Sequence, residues 1–209
     1  MAAYDLFCDK YEYLWMNRDK CGINLNACAA ELLKILEERP DMVSIHNQKD
    51  DYHGVGKKSY TNATELFKEQ FNSMTTVGGT IVSGTFIRIV LTEIPLNPVK
   101  NYGLWQPVAF FQYIANHKFL AYSYSCDVNI YHPDALKGSF WMKQLLYQWV
   151  ERFYFMFCNL PAGYTAEIPS VLLEWNRRYH LLDVTNLLTA RSRGFLLPAE
   201  VEKNREWIP

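Results

Sequence analysis

The pattern of apolar and polar positions in the amino-terminal quarter predicts a strand, a helix and a polar connection. Residues 4–15 alternate well enough for a β-strand. Its candidate inward positions are Leu6, Cys8, Tyr11 or Tyr13, and Trp15. Leucines at helical spacing predict a helix over 24–39, which Pro40 ends. The polar stretch 43–60 is predicted to be an exposed loop.

Capping and β-branched patterns organise the middle of the chain. Asn62 and Glu65 form a capping box, which predicts a short helix through Phe71. Residues 80–93 are rich in β-branched side chains and predict a strand, with Gly84 marking a bulge. Further strands are predicted over 105–114 and 118–128.

Aromatic residues fall on almost every side of a predicted helix over 139–158, capped by Ser139. A helix that is apolar on most faces is buried on more than one side, so we expect it to pack on the sheet. Shorter helices are predicted over 169–179, near 183–190 and after Pro198. This order of elements predicts an α+β fold. We expect a single domain over 1–209 with a mostly antiparallel sheet, against which the helices pack, including the long aromatic-rich helix.

Composition adds an unusual feature to this fold. The chain has 209 residues and holds 6 Trp, 14 Tyr and 12 Phe, more aromatic side chains than a minimal core of that size needs. Some are therefore expected at the surface or in a groove. The candidates are Trp15, Tyr164, Trp175, Tyr179 and Trp207. The net charge of −1 does not favour a nucleic-acid partner, because phosphate binding needs concentrated positive charge.

The five cysteines have neither paired nor metal-ligand spacing, which predicts free thiols in a reducing compartment. The amino terminus lacks the basic and apolar regions of a signal peptide, and no apolar run is long enough to span a bilayer. We therefore expect a cytoplasmic protein that does not enter a membrane.

No catalytic motif stands out in the chain. The glycines and lysines of 53–58 lack the spacing of a phosphate-binding loop, and the nearby histidines and aspartates are predicted to be solvated. The sequence thus predicts no catalytic residue, no metal and no cofactor. One alternative stays open: an enzyme with an unrecognised site built from Cys126, Asp127 and His132.

Two groups of side chains are candidates for binding a protein partner. Basic and aromatic residues near the carboxyl terminus have the composition of interface hot spots: Tyr164, Trp175, Arg177, Arg178 and Tyr179. Acidic residues beside Trp15 at the amino terminus have the opposite charge and can mimic phosphate toward a basic partner: Asp5, Asp9 and Glu12. The alternative, ordinary solvated surface charge, stays open for both groups.

Short segments of the chain resemble bacterial immunity proteins that neutralise polymorphic or type VI secretion toxins. The opening segment with Tyr11, Tyr13 and Trp15, followed by the residues 26–33 and 39–41, is similar to the start of one such family. The stretches 159–164 and 177–183 are similar to another. The resemblance implies a non-enzymatic inhibitor that occludes the active site of a toxin. A viral or phage accessory inhibitor is a further alternative with the same mechanism.

Overall fold

The computed structural model describes residues 2–17, 21–23, 28–46, 56–76, 78–95, 105–126, 129–131, 146–179, 183–203 and 205. Its α-helices are α1 (Ala2–Phe7), α2 (Ala29–Glu37), α3 (Ala63–Met74), α4 (Gly84–Glu93), α5 (Trp105–Ile114), α6 (Arg152–Cys158), α7 (Ile168–Tyr179), α8 (Val184–Ser192) and α9 (Pro198–Lys203). A π-helical turn, Tyr147–Glu151, leads into α6, and a 3₁₀ turn, Ala162–Tyr164, follows it.

The strands are β1 (Tyr13–Trp15), β2 (Cys21–Ile23), β3 (Met42–His46), β4 (Lys57–Tyr60), β5 (Thr80–Ser83), β6 (Ala121–Ser125) and β7 (Asn129–Tyr131). Five of them form a sheet in the order β1-β5-β3-β6-β4, and β2 pairs with β7 separately. Among the neighbouring strands of the described five-stranded sheet, β3 pairs with β6 in parallel and the other three pairings are antiparallel. The predicted α+β fold with a mostly antiparallel sheet is confirmed.

Helices cover both faces of the five-stranded sheet. One face packs against α2 through a small buried cluster: Cys28, Leu32, Ile35, Val43, Ile45, Ile81, Tyr122 and Cys126. The other face packs against a larger, aromatic cluster supplied mainly by the helices, which includes Phe67, Phe71, Phe86, Phe110, Phe111, Phe153, Tyr164 and Trp175. Much of the aromatic surplus in the composition therefore lies in the core, where ring pairs stabilise packing.

The edge strand β4 is tied to a helix on each face of the sheet. Lys57 Nζ lies 3.0 Å from an oxygen of Glu38, which follows α2. Lys58 Nζ projects to the other face and lies 2.8 Å from Glu65 and 2.7 Å from Glu69, both on α3. Successive strand residues point to opposite faces, so two adjacent lysines reach two helices. Charged side chains on an edge strand also discourage pairing with further strands.

A buried hydrogen-bond network joins α3 to three strands. Ser44 Oγ donates to Gln70 Oε1 at 3.1 Å, and Gln70 Nε2 donates to the Tyr60 hydroxyl at 3.2 Å. That hydroxyl donates to Glu69 Oε2 at 2.8 Å and lies 3.3 Å from Ser123 Oγ. Buried polar groups are costly unless they are paired, so this network specifies where α3 sits on the sheet.

The predicted strand over 4–15 is wrong for most of its length. Ala2–Phe7 forms α1, and only Tyr13–Trp15 is a strand. Tyr4 is buried, with its ring edge-on to Trp105 at 5.9 Å. One buried anchor on a short helix decides the conformation here, which an alternation count cannot detect.

The predicted strand over 80–93 divides after four residues. Ser83 Oγ accepts a hydrogen bond from the Phe86 amide at 3.0 Å and caps α4. Phe86, Ile87 and Val90 then face the core at helical spacing. The cap and this packing override the β-propensity of the segment. Gly84 is accordingly the first residue of α4 and not a bulge.

Two other expectations are also wrong. The predicted strand over 105–114 is α5, in which most residues are buried, and a continuous apolar run does not distinguish a strand from a buried helix. Of the predicted loop over 43–60, the start belongs to the central strand β3 and the end is the edge strand β4, while residues 47–55 lie outside the described part. β3 is a fully buried five-residue strand, but Ser44 and His46 give its sequence a polar character that favours a loop prediction.

Several predicted elements are confirmed in part or in full. Asn62 caps α3 by accepting a hydrogen bond from the Glu65 amide at 3.0 Å. β6 lies within the predicted strand 118–128, and α7, α8 and α9 match the predicted carboxyl-terminal helices closely. For the helices predicted over 24–39 and 139–158, α2 and α6 confirm the described parts, while 24–27 and 139–145 lie outside the described residues.

Candidate functional site

The turn after α1 presents an exposed apolar surface. Tyr4 anchors α1 to the core, and burial raises the pKa of its phenol to about 12. Leu6, on the opposite side of the helix, is 62% exposed, and Phe7, at the edge of the buried side, is 40% exposed. Tyr11, 58% exposed, lies beside Phe7 with the ring centroids 5.9 Å apart. Exposed aromatic side chains in contact with each other are typical of protein-binding surfaces.

Carboxylates surround these apolar side chains. Asp5, Asp9 and Glu12 are all exposed, as predicted. Asp9 is partly neutralised by Arg88, whose Nη1 lies 3.2 Å from its carboxylate. Lys10 is the one basic residue between positions 2 and 15, so the segment keeps a negative charge. We call the set Asp5, Leu6, Phe7, Asp9, Tyr11 and Glu12 the amino-terminal surface.

The start of α4 holds the amino-terminal surface in a fixed position. The Gly84 amide donates a hydrogen bond to the Glu12 carbonyl oxygen at 2.8 Å. A Cβ atom on Gly84 would lie 2.4 Å from the Cys8 carbonyl oxygen and 2.5 Å from that of Tyr11. Glycine therefore permits the close approach of the two backbones. This contact therefore fixes the backbone of the turn between Phe7 and Tyr11.

Trp15 is less exposed than the acidic residues with which it was grouped. Its Nε1 donates to the Gly78 carbonyl oxygen at 2.9 Å, and its ring packs against the cluster on the α2 face. The side chain is half-buried, because the polar end of the indole is satisfied inside the protein. It contributes structure to β1 more than surface for a partner.

The prediction that Tyr164 and Trp175 are exposed is wrong. Each is only 2% exposed. The Tyr164 hydroxyl donates to the Phe111 carbonyl oxygen at 2.9 Å, and burial raises the pKa of this phenol. The Trp175 ring lies 4.4 Å from that of Phe153. Both residues belong to the core, because α7, which carries Trp175, and the 3₁₀ turn, which carries Tyr164, both pack on α3.

The predicted basic group is therefore not assembled as expected. Arg177 is exposed on α7. Arg178 and Tyr179 belong to the same helix, but their side chains, like all of Trp207, lie outside the described residues. With Tyr164 and Trp175 buried, the aromatic part of that candidate surface is absent among the residues that the structure describes.

The alternative cysteine site gains no support from the described residues. Cys126 is buried in the cluster on the α2 face, and Asp127 and His132 lie outside the part that the structure describes. In that part no three His, Cys, Asp or Glu side chains come close enough to bind a metal ion. Likewise, no described helix is both long and apolar enough to cross a bilayer.

Sequence reasoning identified the acidic residues of the amino-terminal surface and missed its apolar ones. Leu6 was expected to face inward, and so was either Tyr11 or Tyr13, because the segment was predicted to be a strand. Helical spacing is the signal that could have identified Phe7. Tyr4 is buried in α1, and Phe7, three residues later, lies at the edge of the same side of the helix. No protein-family model, no curated protein and no solved structure matches this chain. The chemistry of the surface is therefore the basis for assigning a function.

Proposed function

We propose that this protein is a non-enzymatic binding module whose amino-terminal surface binds a basic region of another protein. The observation that carries the proposal is the exposed contact between Phe7 and Tyr11, flanked by carboxylates. Aromatic anchors supply most of the binding energy at interfaces, and a charged rim supplies orientation and association rate.

The rigidity of the surface supports the same proposal. Binding costs entropy when loops and side chains have to be ordered. Here the turn is fixed by the Gly84 amide and by the anchored Tyr4. The backbone of the turn therefore needs no ordering when a partner binds, so more of the contact energy appears as affinity.

Toxin neutralisation is the most specific form of this proposal. The resemblance to bacterial immunity proteins supports it, and so does the sign of the charge. Carboxylates of Asp5 and Glu12 can occupy positions that phosphates take in a basic active site, while Phe7 and Tyr11 anchor the complex. The toxin would be inhibited because its substrate can no longer enter.

The test uses the product of the reading frame that precedes this gene as the candidate partner. Calorimetry measures its binding to the wild type, to Phe7→Ala and Tyr11→Ala, and to the double variant Asp5→Lys/Glu12→Lys. We expect each alanine variant to bind at least about tenfold more weakly and the charge-reversed variant to lose its salt dependence. Tyr154→Ala, an exposed tyrosine on α6, is the matched control and should bind normally.

Growth of cells that express the candidate partner distinguishes neutralisation from simple binding. The wild type should restore growth, and Tyr11→Ala should restore it poorly at equal expression. If the wild type does not bind this partner, neutralisation of that toxin is excluded. If the Phe7 and Tyr11 variants bind as tightly as the wild type, the amino-terminal surface is not the binding site.

A further inference from the structure

Helix α8 has an apolar stripe that nothing in the described structure covers. Val184 is 72% exposed and Leu188 is 58% exposed. Arg191, also exposed, lies on the same face as Val184 and Leu188, because residues spaced by four and three share one face of a helix. Ala190 is the buried residue by which α8 meets the rest of the protein.

The charge at the carboxyl-terminal end of this helix is positive. Arg191 and Arg193 are both exposed, and the sequence from 184 to 195 contains no aspartate or glutamate. Among the described residues, neither arginine forms an ion pair with a carboxylate. We call Val184, Leu188, Arg191 and Arg193 the α8 surface. Its chemistry, apolar with basic residues at one end, fits a partner that is apolar and acidic.

The amino-terminal surface has that complementary chemistry. It combines three exposed apolar side chains with the carboxylates of Asp5 and Glu12, while Arg88 partly neutralises Asp9 and Lys10 Nζ lies 5.9 Å from the centre of the Phe7 ring. The α8 surface instead combines aliphatic side chains with two guanidinium groups. The two do not cover one another within one molecule, since Leu6 and Tyr11 on one surface and Leu188 on the other are all exposed in the single chain.

We propose that the α8 surface binds the amino-terminal surface of a second copy of this chain. Opposite charges orient the contact, and burial of leucine, valine and aromatic side chains stabilises it. In a two-fold dimer each copy offers both surfaces, so the contact forms twice. This inference rests on the proposed function, because self-association then hides Phe7 and Tyr11 until a foreign partner displaces the second copy.

The experiment measures the mass of the purified full chain by sedimentation velocity from about 1 to 500 μM, a span that covers the weak affinities expected of a displaceable contact. We expect a concentration-dependent dimer that weakens in 0.5 M salt. Arg191→Glu/Arg193→Glu and, separately, Asp5→Lys/Glu12→Lys should each lower the association constant by at least about tenfold. An equimolar mixture of the two variants should associate again, since each then meets its opposite charge.

A monomer at every concentration overturns the inference, as does a dimer that both charge-reversed variants leave intact. Failure of the mixture to associate, after each variant alone has lost self-association, also overturns it. Circular dichroism confirms that the variants are folded. The result is separable from the proposed function, because Arg191→Glu/Arg193→Glu leaves the amino-terminal surface intact. It should bind the foreign partner at least as tightly as the wild type does.

Discussion

Lys57 and Lys58 are neighbours in sequence, yet their ammonium groups pair with carboxylates on opposite faces of the sheet. Lys58 is the more enclosed of the two. Desolvation lowers the pKa of Lys58, but its hydrogen bonds to Glu65 and Glu69 outweigh that effect and raise it. The pair thus ties the edge strand to helices on both sides.

Removing the Lys58 charge should destabilise the protein. We expect Lys58→Met to lower the free energy of unfolding by about 1 kcal/mol, because Glu65 and Glu69 lose a shared cation. Urea unfolding at neutral pH measures this change. Lys68→Met is the control, since Lys68 is more exposed and lies 3.7 Å from Glu167, and it should change stability by less than about 0.3 kcal/mol. Equal effects of the two substitutions would contradict this account.

A methyl group at position 84 should disturb both stability and binding. Gly84→Ala places a Cβ against the Cys8 and Tyr11 carbonyl oxygens, so the turn has to move. We expect a loss of about 2 kcal/mol or more in unfolding free energy and weaker partner binding. Gly163→Ala, where a Cβ would meet nothing within 4 Å, is the control and should change stability by less than about 0.5 kcal/mol. A fully stable Gly84→Ala protein would show that the close approach is not required.

Alkaline pH should reveal the burial of Tyr4. Its pKa is raised to about 12, so the folded state favours the neutral phenol. The stability it contributes is complete below the unfolded pKa of about 10 and is lost as the pH rises toward 12. We expect Tyr4→Phe to match the wild type at pH 7. Above pH 10, the unfolding free energy of Tyr4→Phe should fall less steeply than that of the wild type, by about 1.4 kcal/mol per pH unit. Unfolding free energies measured from pH 9 to 11.5 test this, and identical slopes would exclude it.

Asp41 should show the same sign of pH dependence as Tyr4, but in the acid range. Burial raises the pKa of its carboxyl group. The hydrogen bond from the Leu120 amide lowers this pKa, but burial has the larger effect. Because the folded pKa is raised, ionisation costs stability as the pH rises through it. Asp41→Asn keeps an acceptor for Leu120 without the charge. It should be more stable than the wild type at pH 7 and equal to it near pH 3.

Comparison with Asp41→Ala separates charge from hydrogen bonding. That variant leaves the Leu120 amide, 2.9 Å from the carboxylate in the wild type, without this acceptor. It should be less stable than Asp41→Asn at both pH values, as urea midpoints will show. A stability of Asp41→Asn below that of the wild type at pH 7 would mean that the ionised carboxylate is favourable.

Local signals explain which elements the sequence predicts correctly. The cap of α3 lies within four residues, Asn62 to Glu65, and it needs no knowledge of the rest of the fold. Segments 84–93 and 105–114 are different, because their β-branched and aromatic residues suit a strand until α4 and α5 are packed together in the core. Tertiary burial decides their conformation, and no single window contains that information.

In the candidate site, too, some features follow from local sequence and others depend on tertiary packing. Charged residues such as Asp5 and Glu12 are predictably exposed, because solvation of a carboxylate depends little on its neighbours. Whether Tyr11 or Trp175 faces solvent depends on partners far away in sequence. For Trp175 the partner is Phe153, and for Tyr11 it is the backbone at Gly84. Aromatic surplus alone therefore cannot say which rings are available for binding.

The parallel pairing of β3 with β6 has a consequence for how the chain acquires its structure during synthesis. β3 ends at His46, but its parallel neighbour begins only at Ala121, and β4 finds its partner in that same late strand. A ribosome-bound chain that stops before Ala121 cannot complete the middle of the sheet, and it holds β4 without that neighbour. Such long-range closure is slow, so the lysines of β4 protect an edge that stays open through much of translation.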